Sequence, residues 1–191
     1  MLIDTDIKLI GMISLTKIAP FKDLALETDW SHFKFNRFEQ SLVEGRLCTL
    51  PYPIRADSQK EYTESQKQLV EHAMPIVSEI LLNFEKFTPV RGEIVNLLPG
   101  KELKSHIDIY WFHKYSKRIH VPIYTNDQCV QIFEDREHHL EEGKIYEINN
   151  RIMHSARNSG STPRIHLILD LMDFENLEKL KSNKSLATTI E

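Results

Sequence analysis

Residues 164–171 read RIHLILDL, and two kinds of side chain alternate along this stretch. In a β-strand, successive side chains point to opposite faces of the sheet. One face of the stretch carries only apolar side chains, namely Ile165, Leu167, Leu169 and Leu171. The opposite face carries Arg164, His166, Ile168 and Asp170. The alternation predicts a strand that packs on an apolar core with one face and presents hydrogen-bonding groups on the other.

A second stretch, RIHVPIY at residues 118–124, repeats this alternation. Its apolar face carries Ile119, Val121 and Ile123, and its other face carries Arg118, His120, Pro122 and Tyr124. A polar face on one strand is about as often an exposed sheet surface as the wall of a pocket, because antiparallel sheets commonly turn one face to solvent. Two such strands in one chain favour a pocket lined by polar groups.

The second half of the chain predicts β structure. Apolar runs of strand length occur at residues 90–98, 105–110, 118–124, 130–133, 144–148 and 164–171. Turn-rich pieces such as PGKE, TNDQ, EEGK and RNSGSTP separate them. Several short strands without alternating helices argue for an antiparallel sandwich or barrel with helices against one face.

The first half contains the clearest helix signal. Thr63 and Gln66 form a capping-box pattern, and apolar residues follow at spacings of three and four as far as Phe84. Pro75 either kinks this helix or begins a second one. We also expect strands and a short helix within residues 1–50, an extended loop at residues 46–61, and a short helix with a frayed end at residues 173–191.

Composition predicts an ordinary soluble domain. A length of 191 residues suits one domain over residues 1–191, and a net charge of -4 with 27% charged residues gives no basic block for nucleic acid. The isolated Cys48 and Cys129 favour a reducing compartment and buried thiols. The first residues carry acids where a signal peptide has bases, and no apolar stretch approaches the roughly 20 residues that span a bilayer. We therefore expect a cytoplasmic protein without membrane or nucleic-acid partners.

The segment SHID at residues 105–108 suggests a metal site. If it is a strand, His106 and Asp108 point the same way and can reach one ion. His154, at the head of a loop rich in Gly and Asn, is the candidate third ligand. Two His and one carboxylate on one side of an ion suit non-haem Fe(II) oxygenases. A short HxD match alone is weak, since a buried His is more often a hydrogen-bonded core residue.

Arg164 strengthens this hypothesis. An arginine in an otherwise apolar strand is unfavourable unless it meets an anion, and its planar guanidinium pairs with a carboxylate through two hydrogen bonds. The dicarboxylate 2-oxoglutarate offers such a group. The spacing therefore indicates a metal site beside an anion site.

Three segments in order carry a family resemblance: LLPGKELKSHID, RIHVPI and EEGKIYEINNRIMHSARNSGSTPRIHLILDL. Together they resemble the aspartyl/asparaginyl β-hydroxylase-like branch of the Fe(II)/2-oxoglutarate dioxygenases, which hydroxylate peptide residues, free amino acids or lipid A. The resemblance covers roughly residues 90–171. It implies a mainly β fold with flanking helices, a double-stranded β-helix of the jelly-roll, cupin-like kind. The core would lie at residues 88–172, with flanking elements at 1–87 and a tail at 173–191.

The resemblance also implies roles for individual residues. Iron would be ligated by His106, Asp108 and His154. Arg164 would bind the distal carboxylate of 2-oxoglutarate, and Arg118 and His120 would hold this cosubstrate from the other side. Asn158 would be structural. The implied reaction uses O2 to hydroxylate an unactivated C–H bond of an amino acid, a peptide residue or a similar small substrate, and it converts 2-oxoglutarate to succinate. Substrate identity, oligomeric state and the role of residues 1–60 stay open.

Two other classes of function remain alternatives. One is a non-catalytic, cupin-type protein that binds a ligand or metal, and the other is a Zn(II) enzyme with the same ligands. Neither accounts as naturally for Arg164.

Other polar residues receive weaker predictions. We expect His138 and His139 to be solvated in a charged turn. Trp111 and His113 either line the pocket or pack, and His166 is a pocket wall or a hydrogen-bonded core residue. Asn149, Asn150 or a backbone carbonyl would hold the second ring nitrogen of His154.

Overall fold

The computed structural model describes residues 3–30, 46–48, 63–109 and 111–182. Its strands are β1 (Ile7–Met12), β2 (Arg46–Cys48), β3 (Phe87–Leu97), β4 (Lys101–His106), β5 (Ser116–Tyr124), β6 (Cys129–Phe133), β7 (Arg136–His138), β8 (Lys144–Ile148), β9 (His154–Asn158) and β10 (Arg164–Asp173). Its helices are α1 (Leu15–Glu27), α2 (Glu64–Leu81) and α3 (Phe174–Ser182), with a 3-10 turn at Trp111–Lys114.

The strands form two antiparallel sheets. The major sheet has the order β1-β8-β5-β10-β3-β2, and the minor sheet has the order β4-β9-β6-β7. Every strand pair in the described ranges is antiparallel. The fold is a double-stranded β-helix with flanking helices, as the sequence and its family resemblance predict.

Strand β10 organises the major sheet. It pairs with β5 on one side and β3 on the other, and its apolar face is fully buried, as the alternation predicts. Residues of this face belong to a core that also includes buried side chains of α1 and α2, among them Phe21 and Ile76. The opposite face of β10 carries its polar residues, which are also buried. Both faces of the strand are therefore enclosed, one by apolar packing and the other by polar contacts.

Helix α2 begins as predicted. Thr63 accepts a hydrogen bond from the backbone of Gln66, and the Gln66 side chain accepts one from the backbone of Thr63, which completes the capping box. Pro75 lies inside this one helix and does not start a second one. The helix ends at Leu81, so the buried Phe84 lies beyond it.

Several predicted boundaries are wrong. The strand predicted at residues 105–110 lies at Lys101–His106, and Asp108 follows it. The loop predicted after His154 contains strand β9. Part of the charged turn is strand β7. The loop predicted at 46–61 begins with strand β2, and its remainder lies outside the described residues.

The N-terminal segment contributes directly to the major sheet. Strand β1 pairs with β8, and helix α1 follows it, as expected for residues 1–50 where they are described. Cys129 is buried and free, whereas the side chain of Cys48 lies outside the described residues. None of the helices in the described ranges is long and apolar enough to cross a membrane.

Candidate active site

Two neighbouring strands of the minor sheet bring the predicted histidines together. His106 ends β4 and His154 begins β9, and the two residues are direct partners in the antiparallel register. Their ring centroids are 4.4 Å apart. Asp108 lies just beyond β4, where its backbone N–H donates to the carbonyl of Asn150 at 3.1 Å. This hydrogen bond fixes the short segment that carries the carboxylate.

The three predicted ligands form one cluster. One ligand atom from each of His106, Asp108 and His154 lies within 4.8 Å of the others. His106 Nε2 is 3.7 Å from Asp108 Oδ1. His154 is buried, while His106 and Asp108 are partly accessible. A cation that contacts all three atoms would therefore retain an approach from solvent.

A backbone carbonyl contacts Nδ1 of each histidine and so places a proton on that nitrogen. Nδ1 of His106 lies 2.8 Å from the carbonyl oxygen of Lys104, and Nδ1 of His154 lies 2.9 Å from that of Ile152. A carbonyl oxygen only accepts, so each Nδ1 must carry a proton, and Nε2 is the nitrogen that offers a lone pair when the ring is neutral. Burial lowers the pKa of His154 to about 4, so its ring is neutral at neutral pH. The predicted backbone support for His154 is confirmed.

Asp108 is held as a carboxylate. Its Oδ2 accepts a hydrogen bond from the Asn150 side chain at 3.1 Å and lies 3.1 Å from Arg118 Nε. Burial alone would raise the pKa of Asp108, but the positive charge of Arg118, with smaller contributions from His113, His154 and the Asn150 hydrogen bond, holds it well below its usual range. Asn150 therefore contacts the carboxylate and not, as one prediction had it, a histidine.

This donor set fits Fe(II). Two imidazole nitrogens and one carboxylate oxygen lie within 4.8 Å of one another, and an ion held by these three ligands would keep coordination positions for other ligands. Each imidazole has its second nitrogen bonded, as is usual for metal-binding histidines.

Arg164 is a buried cation without a carboxylate partner in the described parts of the chain. It is 6% exposed, and its Nη2 donates to Oε1 of Gln131 at 3.2 Å. Its Nε donates to Nε2 of His166 at 3.0 Å. Burial lowers the pKa of Arg164 to about 10, so the guanidinium stays charged at neutral pH. A buried charge is unfavourable unless it is paired, so this environment is suited to an anionic ligand.

Strand β6 contacts both Arg164 and one of the proposed metal ligands. Gln131 contacts Arg164, and Phe133 stacks on His154 with ring centroids 6.0 Å apart. Two residues advance a strand by about 6.8 Å. Gln131 and Phe133 are two residues apart, so both contacts are made from one face of β6.

His120 and His166 form a buried pair beside Arg164. Their Nδ1 atoms are 3.4 Å apart, and His120 Nε2 is buried without a hydrogen-bond partner in the described residues. Burial holds the pKa of each ring well below its usual value, so both are neutral at neutral pH. His166 is thus both buried and next to the anion site, and His120 retains a ring nitrogen for a ligand.

Arg118 has two carboxylate neighbours. Its Nε and Nη2 donate to the two oxygens of Asp170, both at 3.0 Å, and its Nε also lies 3.1 Å from Asp108. His113 Nε2 lies 3.0 Å from Arg118 Nη2, so His113 contacts this ion pair. Contact of Arg118 with a cosubstrate stays a prediction.

The remaining predicted residues fall outside the cluster. Asn158 is fully buried and donates to the carbonyls of Leu97 and Thr162, which gives it a structural role. His139 is exposed, as expected, whereas His138 is half-buried and lies 3.2 Å from a carboxylate oxygen of Asp6. The side chain of Trp111 lies outside the described residues.

Comparison with known families finds one whose model spans most of the chain. The family model described as aspartyl/asparaginyl beta-hydroxylase matches residues 8–173. A curated relative, L-proline cis-4-hydroxylase of Rhizobium meliloti (strain 1021), is 27% identical over 99 residues. That match covers 51% of this chain and 35% of the relative, so the matched region spans about a third of the relative's length.

Solved structures show the same fold. The viral collagen prolyl hydroxylase vCPH from Paramecium Bursaria Chlorella virus-1, in complex with 2OG, has a TM-score of 0.55 and 9% identity, and the match covers 89% of this chain and 97% of that one. AviO1 from Streptomyces viridochromogenes Tue57 has a TM-score of 0.56 and 12% identity, and the match covers 88% of this chain and 90% of that one.

Proposed function

The chain belongs to the aspartyl/asparaginyl β-hydroxylase family, and on this premise we propose that it is an Fe(II)- and 2-oxoglutarate-dependent dioxygenase. Its reaction hydroxylates a C–H bond of an amino acid, a peptide residue or a similar small substrate, and decarboxylates 2-oxoglutarate to succinate. The observation that carries this proposal is the placement of a His-Asp-His cluster close to a buried arginine without a carboxylate partner in the described residues.

Each residue of the site has its own role in this reaction. His106 and His154 offer their Nε2 lone pairs, and Asp108 offers a carboxylate oxygen, to one Fe(II) ion. Bound iron supplies the activation of O2 that the side chains cannot provide. Arg164 binds the distal carboxylate of 2-oxoglutarate. Burial of Arg164 strengthens this ion pair, since water is largely excluded from it.

The neighbours of Arg164 pre-organise its guanidinium. Gln131 and His166 accept hydrogen bonds from it, so few rotamers remain to be restricted when the carboxylate arrives. Nε2 of His120 is available for a further hydrogen bond to the cosubstrate. The described part of the chain thus supplies both a metal site and a preformed anion site.

Turnover tests this function. We expect conversion of 2-oxoglutarate to succinate that requires Fe(II) and ascorbate, and a mass gain of one oxygen atom in a substrate found by screening amino acids and peptides. A non-catalytic, cupin-type binding protein would bind the dicarboxylate without converting it. Activity with Zn(II) and none with Fe(II) would favour a hydrolytic or isomerising metal enzyme instead.

Arg164→Lys is expected to weaken 2-oxoglutarate binding while leaving the metal in place. Lysine keeps the charge but loses the two-pronged hydrogen bond, and a hydrogen bond to a charged group contributes about 1.5–3 kcal/mol. The dissociation constant should therefore rise roughly tenfold to hundredfold. The measurement is a 2-oxoglutarate titration at saturating metal, together with a metal titration without cosubstrate.

Arg157→Lys is the matched control, because Arg157 is partly exposed and pairs with Glu137 away from the cluster. It should leave both affinities unchanged. An unaltered 2-oxoglutarate affinity in Arg164→Lys, or a large loss of metal, would contradict the role given to Arg164.

A further inference from the structure

Asp170 is a buried carboxylate that the proposed reaction does not use. It lies on β10 six residues from Arg164 and is 1% exposed. Both of its oxygens accept hydrogen bonds from Arg118, which lies directly opposite it on β5. The pair is thus a two-pronged ion pair in the interior, a geometry that fixes the plane of the guanidinium.

The guanidinium held by Asp170 also faces the metal cluster. Arg118 Nε lies 3.1 Å from Oδ2 of Asp108, and Asn150 donates to the same oxygen at 3.1 Å. Oδ2 of Asp108 is therefore occupied by protein groups. Oδ1 is the oxygen that lies 3.7 Å from His106 Nε2, on the side of the histidine ligands.

We propose that Asp170 is a positioning residue for the metal site, acting through Arg118 on Asp108. By holding Arg118, it keeps Oδ2 of Asp108 engaged with the protein and presents Oδ1 alone to the metal. Asp108 would then bind the ion through this one oxygen. This inference rests on the metal site of the proposed function.

Sharing of the guanidinium between two carboxylates is the physical basis of this role. Without Asp170, Asp108 would be the carboxylate that acts most strongly on Arg118. Glu93 acts on it less and is itself paired with Arg91. A guanidinium prefers to bind both oxygens of one carboxylate. Oδ1 would then be drawn from the metal to Arg118. Asp170 prevents Arg118 from competing with the metal for Oδ1, because it accepts hydrogen bonds from two N–H groups of Arg118.

Asp170→Asn tests the proposal with little change in volume. Loss of an outer partner of a metal ligand typically lowers metal affinity about 10- to 100-fold. Asp170 acts one contact further out, through Arg118, so we expect a loss of up to this size when apo protein is titrated with Co(II), a visible substitute for Fe(II), in the absence of 2-oxoglutarate. The visible spectrum of bound Co(II) should also change, because it reports the ligand arrangement. The affinity for 2-oxoglutarate at saturating metal should stay that of the wild type, since Arg164 is intact.

Glu147→Gln is the matched control. Glu147 is also a buried carboxylate with a basic partner on β5, namely Lys117. Lys117 neighbours Arg118 in sequence, so its side chain leaves the opposite face of the strand. The same chemical change there should leave Co(II) affinity and the Co(II) spectrum unchanged, whatever it does to stability.

His154→Ala separates this inference from the proposed function. If His154→Ala binds Co(II) as well as the wild type, the metal site itself is wrong. If His154→Ala loses the metal while folded Asp170→Asn keeps wild-type affinity and spectrum, the positioning role of Asp170 is wrong. A weakened 2-oxoglutarate affinity with unchanged metal affinity in Asp170→Asn would also overturn the role, and would assign Arg118 to the cosubstrate.

Asn150→Ser provides a second route if Asp170→Asn does not fold. It removes the other side-chain donor to Oδ2 of Asp108 and leaves the ion pair of Asp170 intact. We expect the same direction of change in Co(II) affinity and spectrum. Wild-type behaviour of this variant would contradict the claim that protein contacts to Oδ2 orient Asp108.

Discussion

His154→Ala is expected to abolish turnover of 2-oxoglutarate and to remove iron from the folded protein. The variant loses a neutral imidazole ligand from a cluster to which the described residues contribute three ligands. Loss of a ligand should exceed the roughly 10- to 100-fold drop in metal affinity that follows loss of an outer partner. Iron content after equilibrium dialysis and succinate formation measure the two effects. His106→Ala should behave in the same way.

The fold should survive this substitution, because the larger apolar core lies on the other face of the major sheet, and only the smaller cluster that contains Phe133 adjoins His154. Circular dichroism and thermal unfolding of the apo protein check this point. His139→Ala is the matched control, since His139 is exposed and its ring contacts the carbonyl of Cys129. Near-normal turnover in His154→Ala would show that His154 is not a ligand.

Arg118→Met is expected to reduce the free energy of unfolding of the apo protein by about 3–5 kcal/mol at neutral pH. That is the usual effect of removing one partner of a buried ion pair, because the other charge is left buried and uncompensated. Here two carboxylates, Asp108 and Asp170, lose their partner. Urea unfolding of wild type and variant at pH 7.5 measures the difference.

The difference should shrink as the pH falls. In the wild type, burial would raise the pKa of Asp170, but Arg118 holds it below its usual value. The stabilisation by the Arg118–Asp170 pair is therefore fully present above the pKa of about 3.9 that an Asp has in the unfolded chain. It is lost as the pH falls through the lower pKa of Asp170 in the folded protein. Without Arg118, only the smaller effects of His113 and Arg91 oppose burial, so the pKa of Asp170 is higher than in the wild type. In mild acid, protonation of Asp170 therefore removes the unpaired buried charge from the variant, while the wild type still keeps its ion pair.

Arg136→Met is the control for this prediction. Arg136 makes a similar two-pronged contact with Asp6, but it is exposed, and exposed pairs contribute little. A destabilisation by Arg118→Met no larger than that by Arg136→Met would contradict the account of the buried pair.

The fold was largely predictable because its central strands alternate between apolar and polar residues. In β5 and β10 one face packs on the helices, so the apolar period is clear in the sequence. Strand β9 gave no such signal. Its only apolar residue is Ala156, so no apolar alternation exists. Most of its side chains are nevertheless buried, namely those of His154, Ser155, Ala156 and Asn158. A pattern based on hydrophobicity therefore assigned this stretch to a loop.

The ligands of the site were predictable, but their supporting contacts were not. The spacing of His106 and Asp108 suggested one strand, yet the register is irregular before His106, and the backbone of Asp108 bonds to Asn150 beyond the strand. Both side chains still reach one cluster. The pairing of Arg118 with Asp170 depends on the register between β5 and β10, which no local pattern encodes.

If iron and 2-oxoglutarate bind at one site, an anaerobic visible spectrum will detect the complex. A 2-oxo acid that chelates Fe(II) gives a weak charge-transfer band, and neither component gives it alone. We expect the wild type to show this band with Fe(II) and 2-oxoglutarate, and His154→Ala to lack it. Absence of the band in folded wild-type protein at saturating Fe(II) and 2-oxoglutarate would contradict the account.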